Sequence, residues 1–207
     1  LHYQGHQLYL STSAGIALYP TDGNNVIDLI RNADAALYRA KRQGGGALEV
    51  YHPDMNAAAV ERLMLKSRLR KAFEKNELRV HYQPKVSLRD GSIVGAEALV
   101  RWELTDRGIV LPSEFIPLAE ESNLILQIGE WVLDRVCTDY QKWALTPARP
   151  GRVSVNLSLR QLKQRDFISR VQAIYAKHGV TPDALELEIT ETTLMEDPKR
   201  TLHLLHE

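Results

Sequence analysis

Two glutamates and an asparagine stand where a strand of sheet core would ordinarily carry apolar residues. Glu97 sits between Ala96 and Ala98 in the segment Glu97-Ala98-Leu99-Val100-Arg101-Trp102, which closes a strand-like run from Ile93. Asn156 lies in Ser154 to Ser158 (SVNLS) and Glu188 in Leu185 to Glu191 (LELEITE). An ionised carboxylate in apolar surroundings is costly unless a cation or several donors compensate it. Strands that each put an oxygen ligand in such a place suggest one shared metal site. Carboxylate and amide oxygens are hard donors and suit Mg2+ or Mn2+. No paired cysteines or close His-Glu set suggests zinc, and His203 and His206, at helical spacing, read as surface residues. Patterning alone leaves a second reading open, in which Glu97, Asn156 and Glu188 are satisfied by neighbouring backbone or arginine, because structural ion pairs also occupy sheets.

The elements that would position these residues follow from periodicity and turn chemistry. Leu78 to Leu88 and Ile93 to Trp102 flank Arg89-Asp90-Gly91-Ser92, and Asp-Gly between strand-like runs predicts an antiparallel hairpin. Alternation then groups Arg79, His81 and Gln83 on one face of the first strand, and Glu97, Leu99 and Arg101 on one face of the second. Pro112 to Glu121 predicts a short helix. A longer one follows, with Leu124, Ile128, Trp131, Val132, Cys137, Tyr140 and Trp143 as its buried stripe. From Arg152 the rhythm is strand (Val153 to Leu157), helix (Asp166 to Lys177, stopped by Gly179), strand (Leu185 to Thr190), then a helix from Pro198. That is the order of a parallel α/β sheet or barrel. In a barrel the apolar face of these strands meets the outer helices, and Ser154, Asn156, Glu186 and Glu188 face the lumen. Catalytic groups of such barrels gather at the C-terminal ends of strands.

The chain ahead of this is α/β as well. Leu8 to Tyr19 predicts a strand, Ile27 to Ala40 a helix stopped at Gly44-Gly45-Gly46, and Ala47 to Tyr51 another strand. Asn56 to Lys75, free of glycine and proline, predicts one continuous helix joining two domains, and its mixed basic residues read as a solvated face.

Of the 207 residues 44% are hydrophobic and 25% charged, the balance of a globular protein. Lys+Arg and Asp+Glu both number 26, which argues against a sequence-independent nucleic-acid binder. One cysteine, Cys137, allows no internal disulfide and fits a reducing, cytoplasmic compartment. The chain opens at Leu1 and stops at Glu207 in mid-pattern, so we expect a piece of a longer protein, with any membrane anchor or sensor upstream. By itself it is expected neither to fold stably nor to turn over substrate, because a barrel cut after its early strands leaves an open edge.

Residues from about Leu65 to Glu207 resemble the first half of the EAL-domain family, cyclic di-GMP phosphodiesterases with a TIM-like barrel. The resemblance rests on Tyr82-Gln83-Pro84, Glu97 to Trp102, Pro112 to Glu120 (PSEFIPLAE), Val155 to Ser158 (VNLS) and Glu188 to Glu191 (EITE). It implies a partial (β/α) barrel with an antiparallel first strand pair, and hydrolysis of cyclic di-GMP to linear pGpG. It also implies Glu97, Asn156 and Glu188 as metal ligands, two divalent ions (Mg2+ or Mn2+) that activate water, Gln83 and Arg101 on the dinucleotide, and a homodimer through the EAL domain. Glu191 resembles the glutamate that holds a loop near the metal site. The family's paired aspartates, catalytic lysine and a further glutamate would lie beyond Glu207.

Residues 1 to 52 resemble the C-terminal end of a GGDEF, or diguanylate cyclase, domain, on Ser13 to Pro20 (SAGIALYP), Ala33 to Gly44 (ADAALYRAKRQG) and Tyr51. Lys41 matches that family's phosphate-contacting lysine, which implies GTP as its ligand. Gly45 stands where that family usually has arginine, which removes a triphosphate contact and points to a regulatory domain. The implied organisation is GGDEF end (1–52), helical linker (53–64) and EAL part (65–207). An inactive EAL receptor for cyclic di-GMP, or a protein that is mainly a cyclase, are the competing functions.

Overall fold

The computed structural model describes residues 2–3, 6–7, 11–146 and 150–189. They fall into two compact units, Leu1–Leu65 and Lys66–Glu207.

In the first unit β1 (His2–Tyr3) and β2 (His6–Gln7) pair antiparallel, while β3 (Ala14–Ile16) and β4 (Leu48–Val50) pair parallel on either side of α1 (Val26–Arg42). Asn25 caps α1 by accepting a hydrogen bond from Asp28 N at 2.9 Å. Gly44, Gly45 and Gly46 all take positive φ just beyond it. Gly15 lets β3 touch the helix: a Cβ there would lie 2.1 Å from Ala33 O. The expected strand over Leu8–Tyr19 is three residues long in its described part. Beyond it the chain turns, with Leu18 N donating to Asp22 Oδ2 at 2.7 Å.

The next helix, α2, runs over Pro53–Leu69, earlier at both ends than its expected span. Proline at the first helical position lacks only an N–H that has no intrahelical partner anyway. At the other end the buried Leu69 and Ala72 pull the chain into tight turns, with Lys71 N bonding to Arg68 O and Ala72 N to Leu69 O. Asn76, at φ 50°, completes the reversal.

The second unit is built on a mixed sheet in the order β5 (Leu78–Val86), β6 (Ile93–Leu104), β8 (Arg152–Asn156), β9 (Leu185–Glu188), with β7 (Gly108–Val110) paired to the far end of β6. Strands β5 and β6 are antiparallel, as the Asp-Gly signal predicts, while β6–β8 and β8–β9 are parallel. The loop between β5 and β6 is longer than a two-residue turn. It is held by Ser87 N donating to Ser92 O and by Asp90 Oδ1 accepting from Ser92 N and Oγ.

The sheet's helix-facing side carries the core. Ala96, Ala98, Trp102, Leu104, Val153 and Val155 are buried beneath α3 (Pro112–Glu121) and α4 (Leu124–Ala144), and α6 (Phe167–His178) packs on α4. Trp102 meets Phe115 edge-on at 5.9 Å and donates its indole N–H to Glu77 Oε2. Each fully buried side chain of this size is worth on the order of 2–3 kcal/mol. The α4 stripe differs from expectation. Ile125, Leu133 and Val136 are buried in it, whereas Leu124, Trp131 and Trp143 are half-buried. The two tryptophans lie over aromatic neighbours instead, Trp131 edge-on to Phe73 and Trp143 edge-on to Tyr82.

Two polar devices fix α4. Tyr82 OH, Arg135 Nε and Lys142 Nζ all donate to the buried Asp139 carboxylate, at 3.0, 2.9 and 3.0 Å. Further along, α5 (Leu159–Leu162) opens with a capping box between Ser158 and Gln161. The Gln161 side chain lies against Gly129 of α4, where a Cβ would fall 1.9 Å from Nε2.

Burial pushes the Asp139 carboxyl up, but the donors from Lys142, Arg135 and Tyr82 outweigh it and hold the group below its usual range. A carboxyl depressed in the folded state adds stability above its unfolded value of about 3.9, lost as pH falls through the folded value. Asp139→Asn should therefore lower Tm at pH 7, and the gap from the parent protein should close toward pH 2. Gly129→Ala should destabilise by displacing Gln161, yet in a Gln161→Ala background it should stabilise by about 1 kcal/mol, the ordinary Gly-to-Ala gain in a helix. Chemical denaturation of the four proteins measures both signs.

Candidate metal centre

Alternation in β5, β6, β8 and β9 puts a row of polar side chains on the face opposite the helices. Across the sheet, Gln83 is paired with Glu97, Glu97 with Ser154, and Ser154 with Glu186. Two residues along, Asn156 is paired with Glu188 at the ends of their strands. Glu97 is half-buried, Asn156 exposed, and the Glu188 side chain 33% exposed. The sequence expectation of a carboxylate among apolar groups is corrected here: Ala96 and Ala98 point to the helix side, so neighbours along a strand are not neighbours in space.

Asn156 Nδ2 donates to Glu97 Oε1 at 2.8 Å, tying β8 to β6. Glu188 Oε1 accepts from Lys85 Nζ at 2.8 Å, and the same ammonium donates to Ser154 Oγ at 2.5 Å. The Lys85 ammonium, then Ser154, hold the Glu188 carboxyl below its usual range, and Glu188 in turn raises Lys85. Lys85 and Ser154 were not among the sequence-derived site residues. The signal existed, since Lys85 falls two positions past Gln83 and therefore on its face, as Ser154 falls two before Asn156.

The donor set fits a divalent ion in chemistry. Glu97 within β6, and Asn156 and Glu188 at the C-terminal ends of β8 and β9, bring hard oxygens to one face of neighbouring strands, and the site already holds a cation in the form of the Lys85 ammonium. Among the described residues no three His, Cys, Asp or Glu side chains group together, and the third oxygen donor of this set is the Asn156 amide.

Arg101 stands four residues past Glu97 on the same face, directly opposite Arg79. Arg79 pairs with Glu103 at 3.2 Å, whereas the Arg101 guanidinium donates to Val100 O. Like charges opposite each other destabilise a strand pair unless an anion is shared. Gln83 is exposed on the same face. In the first unit Lys41 is exposed near the end of α1. Glu191 lies outside the described residues, as do Thr190, His203 and His206.

Residues 66–207 match the sequence model of the EAL domain, and residues 1–47 that of the diguanylate cyclase, GGDEF domain. The chain is 42% identical to the bifunctional diguanylate cyclase/cyclic di-GMP phosphodiesterase MucR of Pseudomonas aeruginosa, over 98% of this chain and 30% of that protein. It is 38% identical to the cyclic di-GMP phosphodiesterase PdeR of Escherichia coli, over 97% of this chain and 30% of that one. It thus spans about a third of the length of these relatives. A solved structure described as the PaMucR phosphodiesterase in complex with c-di-GMP superposes with a TM-score of 0.66 at 40% identity, over 69% of this chain and 58% of the other. Phosphodiesterases of the EAL type are metal-dependent as a class. No helix among the described residues is long and apolar enough to cross a membrane. The chain belongs to the EAL-domain family, with a GGDEF segment ahead of its EAL part.

Proposed function

We propose that the protein carrying this chain hydrolyses one phosphodiester of cyclic di-GMP to give linear pGpG. The observation that carries the reading is Glu97 of β6 hydrogen-bonded to Asn156 at the end of β8, which is paired in turn with Glu188 at the end of β9, in a chain whose relatives include named cyclic di-GMP phosphodiesterases.

In this reading Glu97, Asn156 and Glu188 hold Mg2+ or Mn2+. The bound metal supplies activation of water and neutralises charge that develops on the phosphate oxygens. Gln83, beside Glu97 on the adjacent strand, orients the dinucleotide by hydrogen bonds. Arg101, which makes no carboxylate ion pair among the described residues, offers its guanidinium to a phosphate. Glu191, the third glutamate of LELEITE, belongs to the catalytic set by resemblance. Lys41 takes a phosphate contact if the GGDEF segment binds GTP. The domain limits follow the same reading: 1–52 for the GGDEF end, 53–64 for the linker and 65–207 for the EAL part, with pairing of two EAL domains and a cytoplasmic setting.

Purified protein should make pGpG in Mn2+ or Mg2+, and Glu97→Ala should lower turnover by about a hundredfold or more, the usual cost of losing a group that positions or charges the reacting centre. Arg101→Ala should raise KM for cyclic di-GMP more than it lowers kcat. Turnover that survives Glu97→Ala contradicts the assignment. Tight cyclic di-GMP binding with no pGpG would make the domain a receptor instead.

A further inference from the structure

Lys85 enters the site from the first strand and reaches the last. Its cross-strand partner on β6 is Gly95, which carries no side chain to block the path and is itself paired with Arg152 of β8. Past Gly95 the ammonium meets Ser154 Oγ at 2.5 Å and Glu188 Oε1 at 2.8 Å. Ser154 is 1% exposed, so the ammonium has one buried partner although the Lys85 and Glu188 side chains are 40% and 33% exposed. Gly95 is held to its identity by the backbone as well, because a Cβ there would lie 2.7 Å from Arg152 O.

We infer that Lys85 is a positioning residue, an internal counter-ion that holds the Glu188 carboxylate aimed into the site and yields it to an incoming divalent cation. The inference rests on the reading of Glu97, Asn156 and Glu188 as metal ligands. A carboxylate left without a cation on this face would be free to turn toward other donors. With the ammonium in place it stays oriented, at the cost of competition: an ammonium and a divalent ion on one carboxylate repel each other. The structure offers the displaced ammonium a destination. A cavity of about 680 Å³ opens beside Lys85, and Glu186 and Asp183 line it. Glu186 lies two residues before Glu188 on the same face of β9, so Lys85 can exchange one carboxylate for the other without leaving the sheet. Metal affinity is therefore set below what the three oxygen donors alone would give.

The test is direct Mn2+ binding to the purified protein without substrate, by calorimetry and by the electron paramagnetic resonance signal of free Mn2+. Lys85→Met and Lys85→Gln each remove the charge, and the second retains a donor to Glu188. Both should bind Mn2+ about tenfold more tightly than the parent, the scale of removing one positive charge a few ångströms from a divalent ion at a partly solvated site. Lys85→Arg, which keeps the charge, should stay within about threefold of the parent. A purely structural lysine would leave affinity unchanged or weaken it. Thermal melts confirm folding, and either neutral variant alone suffices if the other is unfolded. Glu188→Gln separates the two claims. If it weakens Mn2+ binding while the neutral Lys85 variants bind no more tightly than the parent, the counter-ion role is overturned and the metal site stands. If Glu188→Gln leaves Mn2+ binding unchanged, the metal-ligand reading falls and the role of Lys85 falls with it.

Discussion

The structure depends on compensating negative charge on one face of a sheet whose other face is packed core. Glu97 and Glu188 project from β6 and β9 on the side away from the helices, and each is met by a specific donor, Asn156 for the first and Lys85 for the second. A carboxylate that has lost much of its water is tolerable only with such partners. The partners in turn fix the order of strands that can stand together. Asn156 must lie on the strand next to Glu97, and Lys85 must have an unobstructed line through Gly95. The pairing of β5, β6, β8 and β9 satisfies both.

That arrangement is affordable because the opposite face is heavily packed. Trp102, Phe115, Leu104, Val153 and Val155 are almost fully buried, and Asp139 with its three donors locks α4 against β5. A strand that alternates every second residue separates these two tasks cleanly. Glu97 and Trp102 belong to one six-residue segment yet serve opposite faces, one the site and the other the core. A shift of register by one residue would exchange those faces, so the core packing also sets the position of the site.

Much of this was legible in the sequence. The antiparallel pair follows from Asp90-Gly91, the parallel rhythm from strand-helix alternation after Arg152, and the faces shared by Arg79, His81 and Gln83 on one strand and by Glu97, Leu99 and Arg101 on its partner from period two. The helix ends were less legible. The start of α2 carries a local signal in Pro53, whereas its stop at Leu69 depends on burial of Leu69 and Ala72, a tertiary effect with no local punctuation. Within α4 the spacing places Ile128, Val132, Cys137 and Tyr140 correctly in the core but misses Leu133 and Val136, while Trp131 and Trp143 lie at the edges over Phe73 and Tyr82. The alanine neighbours of Glu97 in sequence turn to the opposite face and do not surround it. What matters is its partner across the strand gap, and that contact spans residues 59 apart in the chain. The place of Lys85 is hidden in the sequence for the same reason: a lysine after Pro84 reads as a surface residue until the register carries it across Gly95.

The central claim is that Glu97, Asn156 and Glu188 form a single divalent-cation site. Anomalous diffraction from crystals of the protein soaked in Mn2+ tests it most directly. The account predicts a Mn2+ peak within about 2.0–2.3 Å of side-chain oxygens from all three residues, the range expected for hard oxygen ligands. A peak elsewhere, with Asn156 still on Glu97 and Glu188 bound to no ion, would contradict it.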